Sequence, residues 1–325
     1  MQPSIRTYLR NADDRLWRMI FGRADYMMLH PPFKKRLRIA LGLPLSFAME
    51  SCEEPIFLVG CPRSGTTLLF HILSLSSSLH SFGQESHWVW ELLHPPSGRA
   101  DYSQVLRAED LTRASRFFIR GCYVAAFGKR RFVDKCPTNS LRISAVKKVF
   151  PGAKIVCITR NGFDNISSLI DTWQHRRQFL GFDVPEALHI EGYGRQKWVH
   201  ILTPGWQQYA ESALEEVCAH QWVKTNEILL ETKDTVPPED WIDVRYETLF
   251  LSPEETVRNL YASLGLNLEP AVIDFALALD KHVLNTDSKP EIGKWKVRNR
   301  ERLSKVAGDI EPMMSRLGYR MEDYL

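Results

Sequence analysis

Small and hydroxyl-bearing residues surround a single arginine in Gly60–Thr67, which reads GCPRSGTT. This stretch follows the apolar run Ile56–Val59 and precedes a segment with helical spacing over 66–76. Its backbone N–H groups would therefore converge at a helix N-terminus, where an anion is stabilised. Arg63 adds positive charge, and Ser64, Gly65, Thr66 and Thr67 offer close approach or hydroxyl donors. The sequence predicts a phosphate- or sulfate-binding loop.

The loop differs from an ATP-binding loop at one decisive position. The pattern GxxxxGK[ST] requires a lysine where this chain has Thr66, and the cation stands earlier, at Arg63. The strand expected to carry a magnesium-holding Asp ends instead in Thr159-Arg160. A metal-dependent kinase or NTPase is therefore disfavoured but stays one alternative. The other is a non-catalytic nucleotide-binding protein of the same fold.

A second anion site is indicated further along the chain. Arg160 follows the apolar run Lys154–Thr159, and Ser168 comes eight residues later in the next helix. Ligands of parallel α/β proteins bind at the carboxyl ends of the strands, where this arginine would lie. A serine two turns into the following helix can reach the same anion.

Together the two motifs resemble the donor site of sulfotransferases that use 3′-phosphoadenosine 5′-phosphosulfate (PAPS). The PRSGTT form is similar to the branch of tyrosylprotein sulfotransferases and many bacterial enzymes. The usual Asp and Pro after the arginine are Asn161 and Gly162 here. Weaker similarities are FVDKCP with Lys135, VRYE with Tyr246, GKW with Lys294, and the ending LGY at 317–319.

The resemblance implies sulfuryl transfer from PAPS to a hydroxyl or amine, with adenosine 3′,5′-bisphosphate as product and no metal. The loop would hold the 5′-phosphosulfate, and Arg160 with Ser168 the 3′-phosphate. Arg63 and Lys135 would stabilise the developing charge. Tyr246, Ser288 and Lys294 would line the nucleotide, although ordinary loop residues are an equal alternative for the last two.

A general base is expected in Ser81–His87, which returns towards the loop after its helix. Glu85 matches the catalytic glutamate of the tyrosylprotein branch, and His87 is the competitor. Two residues apart on an extended segment, the two side chains would face the same way. We rank Glu85 first.

Strands alternating with helices predict one P-loop-like α/β domain, with a central parallel sheet flanked by helices on both faces. Strands are expected at 56–59, 154–159 and 241–244, and helices near 66–76, 163 onwards, 206–231, 253–264, 270–281 and 301–317. We assign 1–50 to a helical lead-in and 51–325 to the sulfotransferase-like domain, with 176–205 as a possible lid or insertion.

The composition limits partners and compartment. A net charge of +3 over 325 residues argues against nucleic acid as a partner. Six cysteines without a CxxC pair indicate a reduced, cytoplasmic protein. No signal peptide or transmembrane run is expected. A small molecule, glycan or lipid is therefore favoured over protein tyrosine as the acceptor, and a homo-oligomer is possible.

Overall fold

A four-stranded parallel sheet forms the centre of the computed structural model, which describes residues 54–175, 181–281 and 291–324. The strand order is β2-β1-β3-β4. The strands are β1 (Ile56–Val59), β2 (Val133–Lys135), β3 (Lys154–Thr159) and β4 (Trp241–Arg245). Three of them were expected. Strand β2 was missed because its three residues, VDK, form no apolar run.

The parallel register gathers the proposed functional residues at one edge. Leu58 pairs with Lys135, and Thr159 pairs with Arg245. The carboxyl ends of β1, β2 and β3 therefore lie side by side, and the residues that follow them share one crevice.

The helices connect the strands and cover both faces of the sheet. They are α1 (Thr66–Ser74), α2 (His87–Glu91), α3 (Arg113–Phe127), α4 (Ile143–Val149), α5 (Gly162–His175), α6 (Leu214–Lys233), α7 (Tyr246–Leu251), α8 (Pro253–Ser263), α9 (Pro270–Leu277), α10 (Trp295–Arg298) and α11 (Arg300–Arg316). Short 3-10 turns include Pro137–Leu141 and Trp206–Tyr209.

The side chains of β1 alternate between two apolar clusters. Phe57 packs with Tyr123 of α3 on one face, and Leu58 packs with Leu69 of α1 on the other. Both faces of this strand are fully buried. The predicted α/β architecture with helices on both faces is confirmed.

The helix expected over 206–231 divides into two elements. Residues Trp206–Tyr209 form a 3-10 turn, and α6 begins only at Leu214. Ala213 is extended, and its N–H donates to Glu216 Oε2 at 3.0 Å. This local cap starts a new helix instead of continuing the preceding turn.

Irregular chain occupies 181–205, the described part of the predicted lid. Its Trp198 is fully buried, with ring centroids 5.2 Å from Trp173 and 5.1 Å from Trp206. This segment therefore contributes to the core beside α5. Its role as a lid stays a prediction, and the predicted helical lead-in over 1–50 lies outside the described residues.

Candidate active site

The loop between β1 and α1 is held by two neighbouring elements. Ser140 Oγ accepts from Gly60 N at 2.9 Å and donates to Gly60 O at 3.0 Å. Asn165 Nδ2 of α5 donates to Pro62 O at 2.8 Å. These hydrogen bonds from Ser140 and Asn165 hold the loop backbone in place, as the predicted anion-binding loop would require.

Gly65 brings the loop into contact with Tyr246. Its φ of 103° lies in the left-handed region, and an added Cβ would lie 2.5 Å from Tyr246 Cδ2. Arg63 also has a positive φ, of 71°. The tight turn places the predicted nucleotide residue Tyr246 directly against the predicted anion loop.

The two anion motifs meet in the structure. Arg63 Nε donates to Ser168 Oγ at 3.2 Å, and Arg160 Nη1 donates to Arg63 O at 3.2 Å. The Arg160 guanidinium lies 4.1 Å from the centre of the Tyr246 ring, a cation–π contact. Residues that follow β1, β3 and β4 thus meet in one cationic cluster with an aromatic wall.

Two buried donors in this site find no hydrogen-bond partner within the described ranges: Ser64 Oγ and Arg160 Nε. Leaving a buried polar group unpaired costs about 1–3 kcal/mol. The oxygens of a phosphate or sulfate would satisfy both donors, so these residues fit the donor predicted from the sequence. At the start of α1, Thr66 is buried and Thr67 is partly exposed.

A segment near the C-terminal end closes one side of the site. Gly293 N donates to Asp164 Oδ2 at 2.9 Å, and Arg160 Nη2 donates to Glu291 O at 3.3 Å. Burial lowers the pKa of Lys294, as do the charges of Arg298 and Arg160, while Glu291 opposes the shift. Arg160 of the second anion motif is thus among the charges that act on Lys294. Ser288 lies outside the described residues, and its role stays a prediction.

Both departures from the family motif have structural reasons. Asn161 Oδ1 accepts from Asp164 N at 2.9 Å and caps α5, while its Nδ2 donates to Glu247 Oε1 at 2.8 Å. A Cβ on Gly162 would lie only 3.1 Å from Ile310 Cδ1. The turn after Arg160 is thus specified by these two residues.

Glu247 joins this turn to the LGY segment. Its Oε2 accepts from Tyr319 OH at 2.9 Å, and Arg245 Nη2 donates to Leu317 O. The Arg245 guanidinium lies 4.7 Å from the Tyr319 ring centre. The VRYE and LGY segments, both similar to the family, therefore contact each other next to the turn that follows Arg160.

Lys135, Glu85 and His87 form a hydrogen-bonded row at the end of β2. Lys135 Nζ donates to Glu85 Oε1 at 2.6 Å, and Glu85 Oε2 lies 2.8 Å from His87 Nε2. The sequence predicted these three residues for the site, and the structure brings them together. Glu85 lies between the lysine and the histidine.

The expected extended geometry of 85–87 is wrong. His87 is the first residue of α2, so the backbone turns between the two side chains and directs them at each other. On its other side, His87 Nδ1 lies 2.7 Å from Thr138 Oγ1 and 3.5 Å from Glu91 Oε1. Helical spacing explains the contact with Glu91, four residues later.

Burial and hydrogen bonding oppose one another in this row. Burial alone would raise the pKa of Glu85, but the charge of Lys135 and the hydrogen bond with His87 hold it well below its ordinary value. Burial would lower the pKa of His87, yet Cys136, Glu85 and Glu91 raise it well above its ordinary value. The row thus favours a carboxylate at Glu85 and a charged imidazolium at His87.

A buried carboxylate anchors the row to the sheet. Asp134 Oδ2 accepts from Ser86 Oγ at 2.7 Å, Asn139 Nδ2 at 2.9 Å and Tyr123 OH at 3.0 Å. Asp134 immediately precedes Lys135, and Ser86 immediately precedes His87. Their hydrogen bond ties the two segments that carry Lys135 and His87, so it fixes their relative position.

Sequence reasoning missed several supporting residues, among them Asp134, Thr138, Ser140, Asn165 and the buried pair Glu91–Arg142, whose charged groups lie 3.1 Å apart. The stretch Cys136–Ser140 contains three polar side chains directly after the matched lysine, which was the available signal. Glu91 gave no signal, because the extended reading of 85–87 concealed its helical relation to His87.

In residues 54–175, 181–281 and 291–324, no group of three or more His, Cys, Asp or Glu residues has the arrangement of a metal site. Within the same ranges, no helix is both long enough and apolar enough to span a membrane.

Comparison with known proteins identifies similar chains. Nodulation protein NoeE of Sinorhizobium fredii is 32% identical over 137 residues, which cover 36% of this chain and 31% of NoeE. Protein-tyrosine sulfotransferase A of Caenorhabditis elegans is 24% identical, over 81% of this chain and 67% of that protein. Omega-hydroxy-beta-dihydromenaquinone-9 sulfotransferase Stf3 of Mycobacterium bovis is 26% identical, over 66% of this chain and 63% of that protein. This chain therefore spans less than a third of NoeE and about two thirds of the other two.

A family model provides the assignment. The model described as "Sulfotransferase family" matches residues 55–270, a range that contains the loop, Lys135, Arg160, Ser168 and Tyr246. The match covers more than half of the chain and runs from the start of β1 to the start of α9. The chain therefore belongs to the sulfotransferase family, as the loop and the arginine–serine pair had indicated.

Proposed function

We propose that this protein transfers the sulfuryl group of PAPS to an acceptor hydroxyl or amine. The observation that carries the proposal is the meeting of the two anion motifs, through Arg63–Ser168 and Arg160–Arg63, beside the Lys135–Glu85 pair. The pairing of Leu58 with Lys135 supports this neighbourhood, because the loop begins two residues after Leu58.

The donor is assigned to the residues at the carboxyl edge of the sheet. Loop amides, Ser64, Gly65, Thr66 and Thr67 bind the 5′-phosphosulfate with Arg63, and Arg160 with Ser168 binds the 3′-phosphate. Tyr246, Lys294 and Ser288 complete the nucleotide site. Ser64 Oγ and Arg160 Nε, which have no hydrogen-bond partner among the described residues, support this assignment.

In the transfer step, the acceptor oxygen bonds to sulfur as the bond from sulfur to the 5′-phosphate oxygen breaks. The acceptor proton passes to the Glu85 carboxylate, and adenosine 3′,5′-bisphosphate leaves. Such loose, in-line transfers depend on positioned charge. Arg63 and Lys135 stabilise the leaving oxygen and the sulfuryl oxygens. A sulfuryl group carries less charge than a phosphoryl group, so the reaction proceeds without a metal.

Lys135 has a second role in this mechanism. Its ion pair with Glu85 holds the carboxylate ionised but weakly basic. Bound sulfate gives Lys135 another anion, which loosens its hold on Glu85 and raises the basicity of that carboxylate. His87 then orients Glu85 through its 2.8 Å hydrogen bond.

The narrower proposal is a small molecule, glycan or lipid acceptor in the cytoplasm. The five described cysteines are buried and unpaired, as suits a reducing compartment. Among the relatives, Stf3 is named for a menaquinone derivative and the Caenorhabditis protein for protein tyrosine. An acceptor screen should therefore include both classes.

Thermal unfolding with ligands tests the donor assignment. Adenosine 3′,5′-bisphosphate should raise Tm with or without EDTA, since a ligand at about 100 times its Kd adds about 2.7 kcal/mol. Arg160→Ala should lose the shift. Arg258→Ala is the matched control, because that exposed arginine forms its ion pair with Glu254, one turn away on the same helix. If ATP with magnesium raised Tm and the bisphosphate did not, the proposal would be refuted and a kinase or NTPase would be favoured.

A further inference from the structure

Ionisable side chains alternate in sign from the edge of the sheet into the core. The row of Lys135, Glu85 and His87 continues to Glu91 and ends at Arg142. His87 Nδ1 lies 3.5 Å from Glu91 Oε1, and Arg142 Nη2 donates to the same oxygen at 3.1 Å. When His87 carries a proton on both nitrogens, each inner charge of the row lies between two charges of opposite sign.

Glu91 is held as a carboxylate. Its Oε1 accepts from Gln104 Nε2 at 2.8 Å and from Arg142 Nη2. Its Oε2 is buried without a hydrogen-bond partner among the described residues, so a proton on that oxygen would have no acceptor. Burial would raise the pKa of Glu91, but the hydrogen bond and charge of His87 and the charge of Arg142 lower it. Glu91 is therefore an anion beside the imidazole.

The partners of His87 suit a ring that is protonated on both nitrogens. Nε2 lies 2.8 Å from Glu85 Oε2, and an ionised carboxylate can only accept, so Nε2 carries a hydrogen. Nδ1 lies 2.7 Å from Thr138 Oγ1, which can accept from an Nδ1–H and point its own hydrogen to Cys136 Sγ at 3.4 Å. A carboxylate thus stands near each end of the imidazole, and each nitrogen has an oxygen that can accept its hydrogen.

Four titratable groups face His87: Glu85, Glu91, Cys136 and Asp134. Cys136, Glu85 and Glu91 raise the pKa of His87 against the effect of burial. Burial raises the pKa of Asp134, and the charge of His87 is among the effects that oppose this. On the Nδ1 side the two candidates are Cys136 Sγ, at 3.4 Å, and Glu91. A thiol is a weak hydrogen-bonding group, whereas Glu91 is a carboxylate paired with a buried arginine, so we assign the charge that retains the Nδ1 proton to Glu91.

We propose that Glu91 is a positioning residue of the sulfuryl transfer, which keeps His87 doubly protonated so that a fixed cation holds Oε2 of Glu85. The acceptor O–H bond breaks, the proton bonds to Glu85, and it goes no further because His87 has no unprotonated nitrogen. His87 is thus a fixed cation and not a proton relay. The role in transfer rests on the proposed function, whereas the charge of His87 can be measured by itself.

Nitrogen-15 NMR of the imidazole rings measures that charge. Long-range ¹H–¹⁵N spectra of protein labelled with ¹⁵N-histidine distinguish an imidazolium from either neutral tautomer, and His87→Gln identifies the signal of His87 by its loss. The intact protein should show an imidazolium between about pH 6 and 8. Glu91→Gln keeps the size of the side chain but removes its charge, so His87 should be neutral above about pH 6.5.

Three further variants separate Glu91 from other causes. Cys136→Ser removes the thiol and should keep the imidazolium. Glu215→Gln removes a glutamate that is 5% exposed, as against 4% for Glu91, and that pairs with Lys305 at 3.1 Å; it should leave the His87 signal unchanged. Glu91→Gln/Arg142→Gln avoids leaving a buried charge unpaired, and it should lose the imidazolium as Glu91→Gln does.

A double-mutant cycle tests the role in transfer, with ³⁵S-labelled PAPS and an acceptor found by screening. Glu91→Gln should lower kcat by about tenfold in the otherwise intact protein. In the His87→Gln background the same change should lower kcat by less than about twofold, because a residue that acts only through His87 loses its effect with it.

The outcomes divide as follows. A neutral His87 in the intact protein overturns the inference, as does an imidazolium that persists in both variants lacking Glu91. An imidazolium lost in Cys136→Ser but kept in Glu91→Gln assigns the role to the thiol and also overturns it, and so does an equal loss of kcat in both backgrounds. If the bisphosphate fails to raise Tm in the intact protein, the proposed function is contradicted and the role in transfer falls with it, while the spectra still decide whether Glu91 holds the charge of His87.

Discussion

Glu85 Oε1 accepts a hydrogen bond from Lys135 Nζ at 2.6 Å, so the proposed base is paired with one of the proposed catalytic cations. A carboxylate held this way is ionised at neutral pH but binds a proton weakly. The chemistry therefore requires Lys135 to divide its charge between Glu85 and the donor.

Separate substitutions should distinguish the base from its supporting histidine. Glu85→Gln keeps the size of the side chain but removes the basic oxygen, and should lower kcat by about 10²–10⁴-fold. His87→Gln should have a smaller effect, because His87 acts through Glu85. Steady-state rates with saturating PAPS measure both. A larger loss in His87→Gln would reverse the assignment.

The Glu85–Lys135 pair should also make stability depend on pH. Because folding lowers the pKa of Glu85 below its ordinary 4.5, the ionised pair stabilises the fold above that pH. This contribution is lost as the pH falls towards the folded-state pKa. Urea unfolding of the intact protein and Glu85→Gln should show a difference in free energy of unfolding that shrinks below pH 4.5. A difference that is constant with pH would contradict this account.

Gly65→Ala should damage the donor loop. The new Cβ would require a strained φ of 103° and would lie 2.5 Å from Tyr246 Cδ2. We expect a loss of about 1–3 kcal/mol in stability, together with weaker bisphosphate binding. Gly308→Ala is the control, because its Cβ would meet nothing within 4 Å on α11. That substitution should stabilise the helix by about 0.5–1 kcal/mol. Calorimetric binding and thermal unfolding measure both variants.

Asn161→Asp should destabilise the protein even though Asp is common at this place in the family. Asn161 Nδ2 donates to Glu247 Oε1 at 2.8 Å, and a carboxylate there would face another carboxylate. We expect a loss of about 1–3 kcal/mol at pH 7.5. The loss should diminish towards pH 5, because taking up a proton between the two carboxylates relieves their repulsion. Equal stability at pH 7.5 would show that Glu247 tolerates the change.

Local patterns predicted which residues meet at the carboxyl edge of the sheet, while their binding roles stay predictions. The loop and Arg160 follow strands, Tyr246 begins α7, and Ser168 lies in the second turn of α5. Spacing along the chain fixes the place of each. Parallel pairing then brings these ends together. The meeting of Arg63 with Ser168, 105 residues apart, follows from that rule.

The surroundings of Glu85 and His87, the proposed acceptor side, depend on contacts that no local pattern encodes. On an extended segment, the side chains of Glu85 and His87 would lie in parallel. Because the chain turns into α2 at His87, the two side chains form a hydrogen bond with each other. The pairing of Thr172 with His200 arises because an irregular segment packs its Trp198 beside α5. Such segments lack periodicity, so their side-chain positions become visible only in three dimensions.

The hydrogen bond between Tyr319 and Glu247 has a consequence for folding during translation. Arg160 is made early, but the turn that carries it is braced through Glu247 by a residue near position 319. At about 5–20 residues per second, a ribosome needs roughly 8–32 s to travel from one to the other. During that interval the growing chain has both anion motifs but lacks their brace, so donor binding should begin only after Tyr319 has left the ribosome.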